Sequence, residues 1–277
     1  MARPAVTPLP KAGSPKGSRL TARNPMTTTM LGLAAMGGLI FGSLFNVVAY
    51  RLPRGQSLSK PGSRCPSCGE PIKPYDNVPV LGWLMLRGRC RACREAISVR
   101  YPIVEALTAV LAISVVLVKH SAHDIVLGLV LVAILVPVAL IDLDRRIIPN
   151  KITLPAAVAA IAIELALKPS GVPEQLIAGA AAGGFLLLFA LAYPRGMGMG
   201  DVKLAGVLGL FLGRSVAVAV FSGVLAGAVV GAVIMARLGV TQGRKTGVPF
   251  GPFLAFGGVL ALLAGGPIVH WYLHSLV

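Results

Sequence analysis

The sequence predicts an all-α polytopic membrane protein of about eight transmembrane helices, with a small four-cysteine zinc-binding domain between the first and the second. Three observations carry this. Of 277 residues, 55% are hydrophobic and only 13% charged, a balance found in chains solvated by lipid and not in soluble domains. Apolar runs approaching the ~20 residues needed to cross a bilayer recur along the chain. The Lys and Arg behind the net charge of +16 lie in the loops between those runs, the pattern of membrane orientation and not of a nucleic-acid partner.

In chain order, residues 1–25 are rich in Pro, Gly, Ser and Thr, hold five Lys or Arg and no acid, and read as a disordered basic tail. The uncharged stretch 24–50, at 27 residues, is too long for a cleaved signal peptide and gives a first transmembrane helix over 26–50. Residues 51–102 carry ten basic residues and every cysteine, and form the one sizeable extramembrane domain. Residues 103–277 read as a seven-helix membrane region, with apolar segments at 103–118, 125–141, 152–167, 175–193, 202–213, 215–236 and 249–273. The 152–167 segment is short and carries Glu164, and the 202–213 segment must start at Asp201 to approach a full crossing. Gly and Ala at 178–184 and 223–232 predict close helix packing seams.

Eight crossings leave the Cys domain, Asp142, Asp201 and the 237–247 loop on one face, because an even number of spans separates each from the next. That face holds 18 Lys and Arg against eight opposite, which places it in the cytoplasm. The basic tail falls outside, against the trend; a re-entrant first run would bring it in.

The four cysteines stand as Cys65-Pro-Ser-Cys68 and Cys90-Arg-Ala-Cys93. Each CxxC is a knuckle that aims two thiolates at one ion, and two knuckles complete a tetrahedron. The histidines fall near the opposite face, so the expected site is a closed, structural Zn2+ site with four Cys ligands. Two disulfides are the alternative, disfavoured in a reducing compartment.

Only ten residues are acidic, and Asp142 and Asp201 both abut apolar runs. Acids placed near lipid are costly and are functional candidates, with helix capping or pairing to Arg145, Arg146 or Lys203 as the structural alternative. Two carboxyl groups on one face can share a proton, one activating water as general base and the other polarising a carbonyl. Asp144 competes for the role, but positions i and i+2 point about 200° apart on a helix. Asp142 follows the apolar run directly and is the candidate. Gly196, Gly198 and Gly200 would admit the backbone of an extended substrate.

Together these motifs resemble the prepilin leader peptidase and N-methyltransferase family. The resemblance runs from about residue 38 to 256 through FGSLFNVVAYRLPRG (41–55), the paired knuckles, DNVPVLGWLMLRGRCRAC (76–93), RYPIVE (100–105), IDLDRRIIPN (141–150), GMGD (198–201) with Val202 and Lys203, and VPFGPFLAFGG (248–258). The family often has Ser where Gly82 stands. The resemblance implies an aspartic membrane protease with Asp142 and Asp201 as its catalytic pair, and the Gly-x-Gly-Asp signature makes Gly198, Gly200 and Lys203 candidate substrate contacts. Its substrates would be type IV prepilins or type II secretion pseudopilins, cut after a glycine. It also implies N-methylation of the new N-terminus with S-adenosylmethionine, since members with the Cys domain generally carry that activity. A transporter with functional intramembrane acids, or a non-enzymatic secretion-system assembly factor, are the competing classes. The transporter would hold its acids at mid-membrane, and the assembly factor needs neither aspartate.

Overall fold

A computed structural model describes residues 25–193, 196–239 and 247–275. The basic tail to residue 24 and most of the 237–247 loop lie outside the described residues. The helices are α1 (Pro25–Arg51), the short α2 (Leu81–Met85), α3 (Arg100–Val118), α4 (Ala122–Arg145), α5 (Asn150–Leu167), α6 (Val172–Ala192), α7 (Met199–Leu212), α8 (Val216–Leu238) and α9 (Gly251–Ser275).

Seven segments are long and apolar enough to cross a membrane, and one of them, Met199–Leu238, is 40 residues long. That segment is two helices running opposite ways. Gly258 of α9 lies beside Leu208, and Gly251 lies beside Asp142 at the end of the bundle where Asp201 begins α7, so α9 runs with α7. Gly257 of α9 instead packs on Ala219 and Gly223, while Phe250 and Phe253 reach Gly227, so α9 runs against α8. The chain reverses at Gly213, whose φ of +54° suits glycine. The expected eight crossings and the seven apolar segments are therefore the same topology. With 14 residues α7 is about 21 Å long, well short of a ~30 Å hydrocarbon core.

Helix α4 is the centre. Leu131, Leu135, Val138 and Ile141 are each 1% exposed or less, as expected of a helix that is apolar all round. Ser121 caps its start by accepting from the Asp124 N–H at 3.0 Å. Its end comes at Arg146, in the left-handed region at φ +55°, four residues after Asp142. Around α4 the helices meet through small residues. A Cβ on Gly38 would lie 2.5 Å from the Ala109 Cα, and one on Gly209 would lie 2.5 Å from the Gly179 Cα. Of the expected seams, Gly179 and Gly183 do meet α7 and Gly223 meets α9, whereas Gly184 and Gly231 face open space. Helix α1 runs antiparallel along α3, its Gly42 beside Glu105 and its Asn46 donating to the Tyr101 carbonyl, as one continuous helix long and apolar enough to cross a membrane.

Between α1 and α3 the chain folds on two copies of one loop. Arg64-Cys65-Pro-Ser-Cys68-Gly69-Glu70-Pro71-Ile72 and Arg89-Cys90-Arg-Ala-Cys93-Arg94-Glu95-Ala96-Ile97 share their pattern. Each opens on an antiparallel bridge, Arg64 to Pro71 and Arg89 to Ala96. Each turns through a left-handed residue, Gly69 or Arg94. The buried Glu105 of α3 accepts the Val80 N–H at 2.7 Å and so fixes this region to the bundle. Val80 is itself in the left-handed half of conformational space, at φ +61°. Gly82 has no room for a side chain, because a Cβ there would run into the Asp76 carbonyl oxygen. Replacing Glu105 with Ala would orphan the Val80 N–H and cost about 1–3 kcal/mol. The expected readout is faster proteolytic nicking between α1 and α3 in detergent; unchanged nicking would show that Glu105 does not tether the domain.

Candidate active site and metal centre

Helices α4 and α7 bring Asp142 and Asp201 to the same end of the bundle. Both are buried, 5% and 9% exposed, and they lie close enough for their charges to interact. Each carboxylate is met by a backbone donor at a helix start. The Gly251 N–H at the beginning of α9 donates to Asp142 Oδ2 at 2.8 Å. The Gly198 N–H, at the cap of α7, donates to Asp201 Oδ2 at 3.2 Å. Asp201 lies in the first turn of α7, where the helix dipole favours an anion. Asp142 lies in the last turn of α4, where it does not, and the start of α9 offsets that.

Asp144 points elsewhere. It forms a two-pronged pair with Arg100 Nη1, at 2.7 and 2.8 Å, and is half exposed. Among the expected substrate contacts, Gly198 is exposed and caps α7, while Gly200 packs so closely on Ile148 that a Cβ would lie 3.0 Å from it. Lys203 is exposed and donates to Asn150 Oδ1 at 3.0 Å, joining α7 to α5. Gly251 carried no role in the sequence reading. The signal was the FGPF stretch, a glycine before a proline at the start of an apolar run. A Cβ at Gly251 would come within 2.7 Å of Asp142 Oδ2, so glycine permits the contact.

Glu164 is not part of this site. It lies at the opposite end of the bundle, where His123 Nε2 is 2.6 Å from its Oε2 and His123 Nδ1 is 3.1 Å from Asp124 Oδ1. That resolves how a buried acid is tolerated in the short α5.

The four cysteines converge. Their sulfurs all lie within 4.8 Å of one another, with Cys65 Sγ and Cys93 Sγ 3.7 Å apart. A tetrahedron with Zn–S bonds of about 2.3 Å has edges of roughly 3.8 Å, so the donor set and its spacing fit zinc. The backbone N–H groups of Cys68 and Ser67 point at the Cys65 sulfur and lower its pKa to about 6, while burial and the neighbouring thiols push Cys93 up to about 12, so without a metal the cluster gives up its first proton at Cys65 and holds one at Cys93. Beside the knuckles, Arg91 grips Asp76, its Nε 2.8 Å from Oδ2, and holds that carboxyl below the usual range.

Comparison with known proteins gives two adjoining matches. Residues 36–119 match a family described as the bacterial peptidase A24 N-terminal domain, and residues 129–235 match the type IV leader peptidase family. A prepilin leader peptidase/N-methyltransferase of Aeromonas salmonicida is 34% identical, over 88% of this chain and 94% of that protein. The protein of that name from Neisseria gonorrhoeae is 35% identical, over 87% and 94%. The one from Myxococcus xanthus is 42% identical, over 63% and 54%. No solved structure matches.

Purified under reducing conditions, the chain is expected to carry about one zinc per molecule. Cys65→Ser and Cys90→Ser should each reduce zinc content severalfold, because either removes one of four ligands. Elemental analysis that finds no zinc in the unaltered protein would overturn the metal reading.

Proposed function

The chain belongs to the type IV leader peptidase family, and on that footing we propose that it cleaves the basic leader from type IV prepilins or type II secretion pseudopilins. The observation that carries this is the pair of buried carboxyl groups, Asp142 and Asp201, each held by a helix-start N–H. Two such groups share one proton, because both cannot ionise side by side at low cost. The ionised member takes a proton from water as it attacks the scissile carbonyl, and the protonated member donates to the carbonyl oxygen. Four thiolates would fill the coordination shell of a tetrahedral zinc. Water activation therefore falls to the carboxylates, and zinc holds the two knuckles together.

The positive-inside excess supports placing this end of the bundle in the cytoplasm. A basic leader would approach there while the apolar helix that follows it stays in the bilayer. Gly198 and Gly200, at the mouth of α7, are the candidate contacts for the extended backbone around the cut. Lys203 holds α7 to α5 through Asn150 and is a candidate contact on the exposed side. The relatives' shared name supports a second activity, methyl transfer to the new N-terminus from S-adenosylmethionine, with the Cys domain as its candidate seat.

Incubation of purified protein with a synthetic prepilin, read by mass, tests both activities. Loss of the leader is expected without S-adenosylmethionine, and a further gain of one methyl group with it. Asp142→Asn and Asp201→Asn should each lower cleavage by a factor of about 10³ or more, as expected for loss of a member of a catalytic unit, with the protein still inserted. Asp144→Asn should cleave within about threefold of the unaltered enzyme, because a half-exposed ion pair contributes little. Wild-type cleavage by either of the first two variants would remove the dyad from the mechanism. Gly251→Ala should slow cleavage without loss of zinc, since its methyl group displaces Asp142.

A further inference from the structure

Inside the basic domain, residues 78–86 read Val-Pro-Val-Leu-Gly-Trp-Leu-Met-Leu, nine residues without a charge. Helix α2 occupies their middle, and its outer face is Leu81, Leu84 and Met85, spaced i, i+3, i+4 and 58%, 55% and 76% exposed. Three large apolar side chains on one short helix make a patch that water disfavours. The helix is not loosely held. Trp83 Nε1 donates to the Ile97 carbonyl at 3.0 Å and ties the inner side to the second knuckle. A Cβ on Gly88 would lie 2.7 Å from the Trp83 ring, so the indole is clamped on that side too.

Its depth is also set. Val80, just before α2, is bonded to Glu105, five residues inside the start of α3 at Arg100. Glu105 in turn packs on Gly42, nine residues inside the end of α1 at Arg51. At 1.5 Å per residue the Glu105 backbone lies roughly 7–13 Å inside the ends of those two helices, and its side chain leans back toward the start of α3, so α2 begins level with the terminal turns of α1 and α3 and not beyond them. Directly after α2 come Arg87 and Arg89, both exposed and without an ion pair among the described residues.

We propose that α2 is an interfacial membrane anchor. Leu81, Leu84 and Met85 enter the boundary between headgroups and acyl chains, and Arg87 and Arg89 bind the headgroups of anionic phospholipid. The occupant is lipid because depth, apolar face and adjoining positive charge coincide. The anchor would fix the knuckle domain flat against the leaflet, beside the end of the bundle that holds Asp142 and Asp201.

Trp83 supplies the probe, since Trp271 is the other of two tryptophans in the chain. A Trp271→Phe protein in nanodiscs would be compared with lipids brominated near the ester end of the acyl chain, brominated near the methyl end, or unbrominated. Strong quenching by the first, weaker quenching by the second and little by aqueous iodide is expected. At equal mole fraction, brominated phosphatidylglycerol should quench at least about twofold more than brominated phosphatidylcholine, and Arg87→Gln with Arg89→Gln should abolish that preference while zinc is retained. Quenching by iodide and not by bromine would overturn the anchor. So would a photo-crosslinker at Met85 that captured a second copy of the chain or a prepilin in place of lipid. Trp83 emission does not depend on peptidase turnover, so this result and the cleavage result stand or fall separately.

Discussion

Holding two largely buried carboxyl groups together, at one end of a bundle of apolar helices, is the constraint the rest of this molecule serves. A buried carboxylate needs donors, and side chains long enough to reach inward would bring their own cost of burial. The fold uses backbone N–H groups instead. Asp142 sits at the unfavourable end of α4, and α9 starts against it, delivering the Gly251 N–H. Asp201 starts α7 and bends back to the Gly198 N–H. The glycine at 251 follows from this arrangement, because a Cβ there would run into the Asp142 carboxylate, while one at Gly200 would press on the Ile148 side chain. The shortness of α7 suits this as well: 14 residues between Asp201's turn and Gly213 span less than a hydrocarbon core.

Much of this was legible in the sequence, and what was not has a physical reason. The spans announced themselves as apolar runs; helical angle allowed only one of Asp142 and Asp144 to face inward, and Asp142 was preferred because it directly follows the apolar run. The structure buries Asp142 and pairs Asp144 with Arg100. The role of Gly251 was hidden because the group that matters is a main-chain N–H, which every residue but proline has. The pairing of Glu164 with His123 joins residues 41 positions apart, a contact that no local pattern encodes. The apolar run at 78–86 was visible but was masked by averaging: residues 51–102 hold ten basic residues, and a domain judged by that total looks polar throughout.

The region between α1 and α3 is organised by repetition more than by a core. Among its hydrophobic residues Cys65 is buried, while Leu58, Ile72, Tyr75 and Val78 are exposed. Each knuckle copy contributes two thiols to one cluster, so neither copy can hold an ion without the other. A domain of this size with so little apolar burial gains its stability from metal binding when the metal is present. The same four positions that close the cluster also lie between the two points of attachment to the bundle, Arg51 and Glu105.

The seam between α6 and α7 has a consequence for genetics. There the two backbones touch, with Gly209 facing Gly179 across a gap that leaves no space for a methyl group. Gly209 is eight residues, a little over two turns, from Asp201 on the same short rod. Any side chain introduced at Gly209 must lever α7 sideways, and the displacement arrives at the carboxylate end nearly undiminished. A screen for inactive alleles would therefore return Gly209 beside the aspartates, although it comes near no reacting atom.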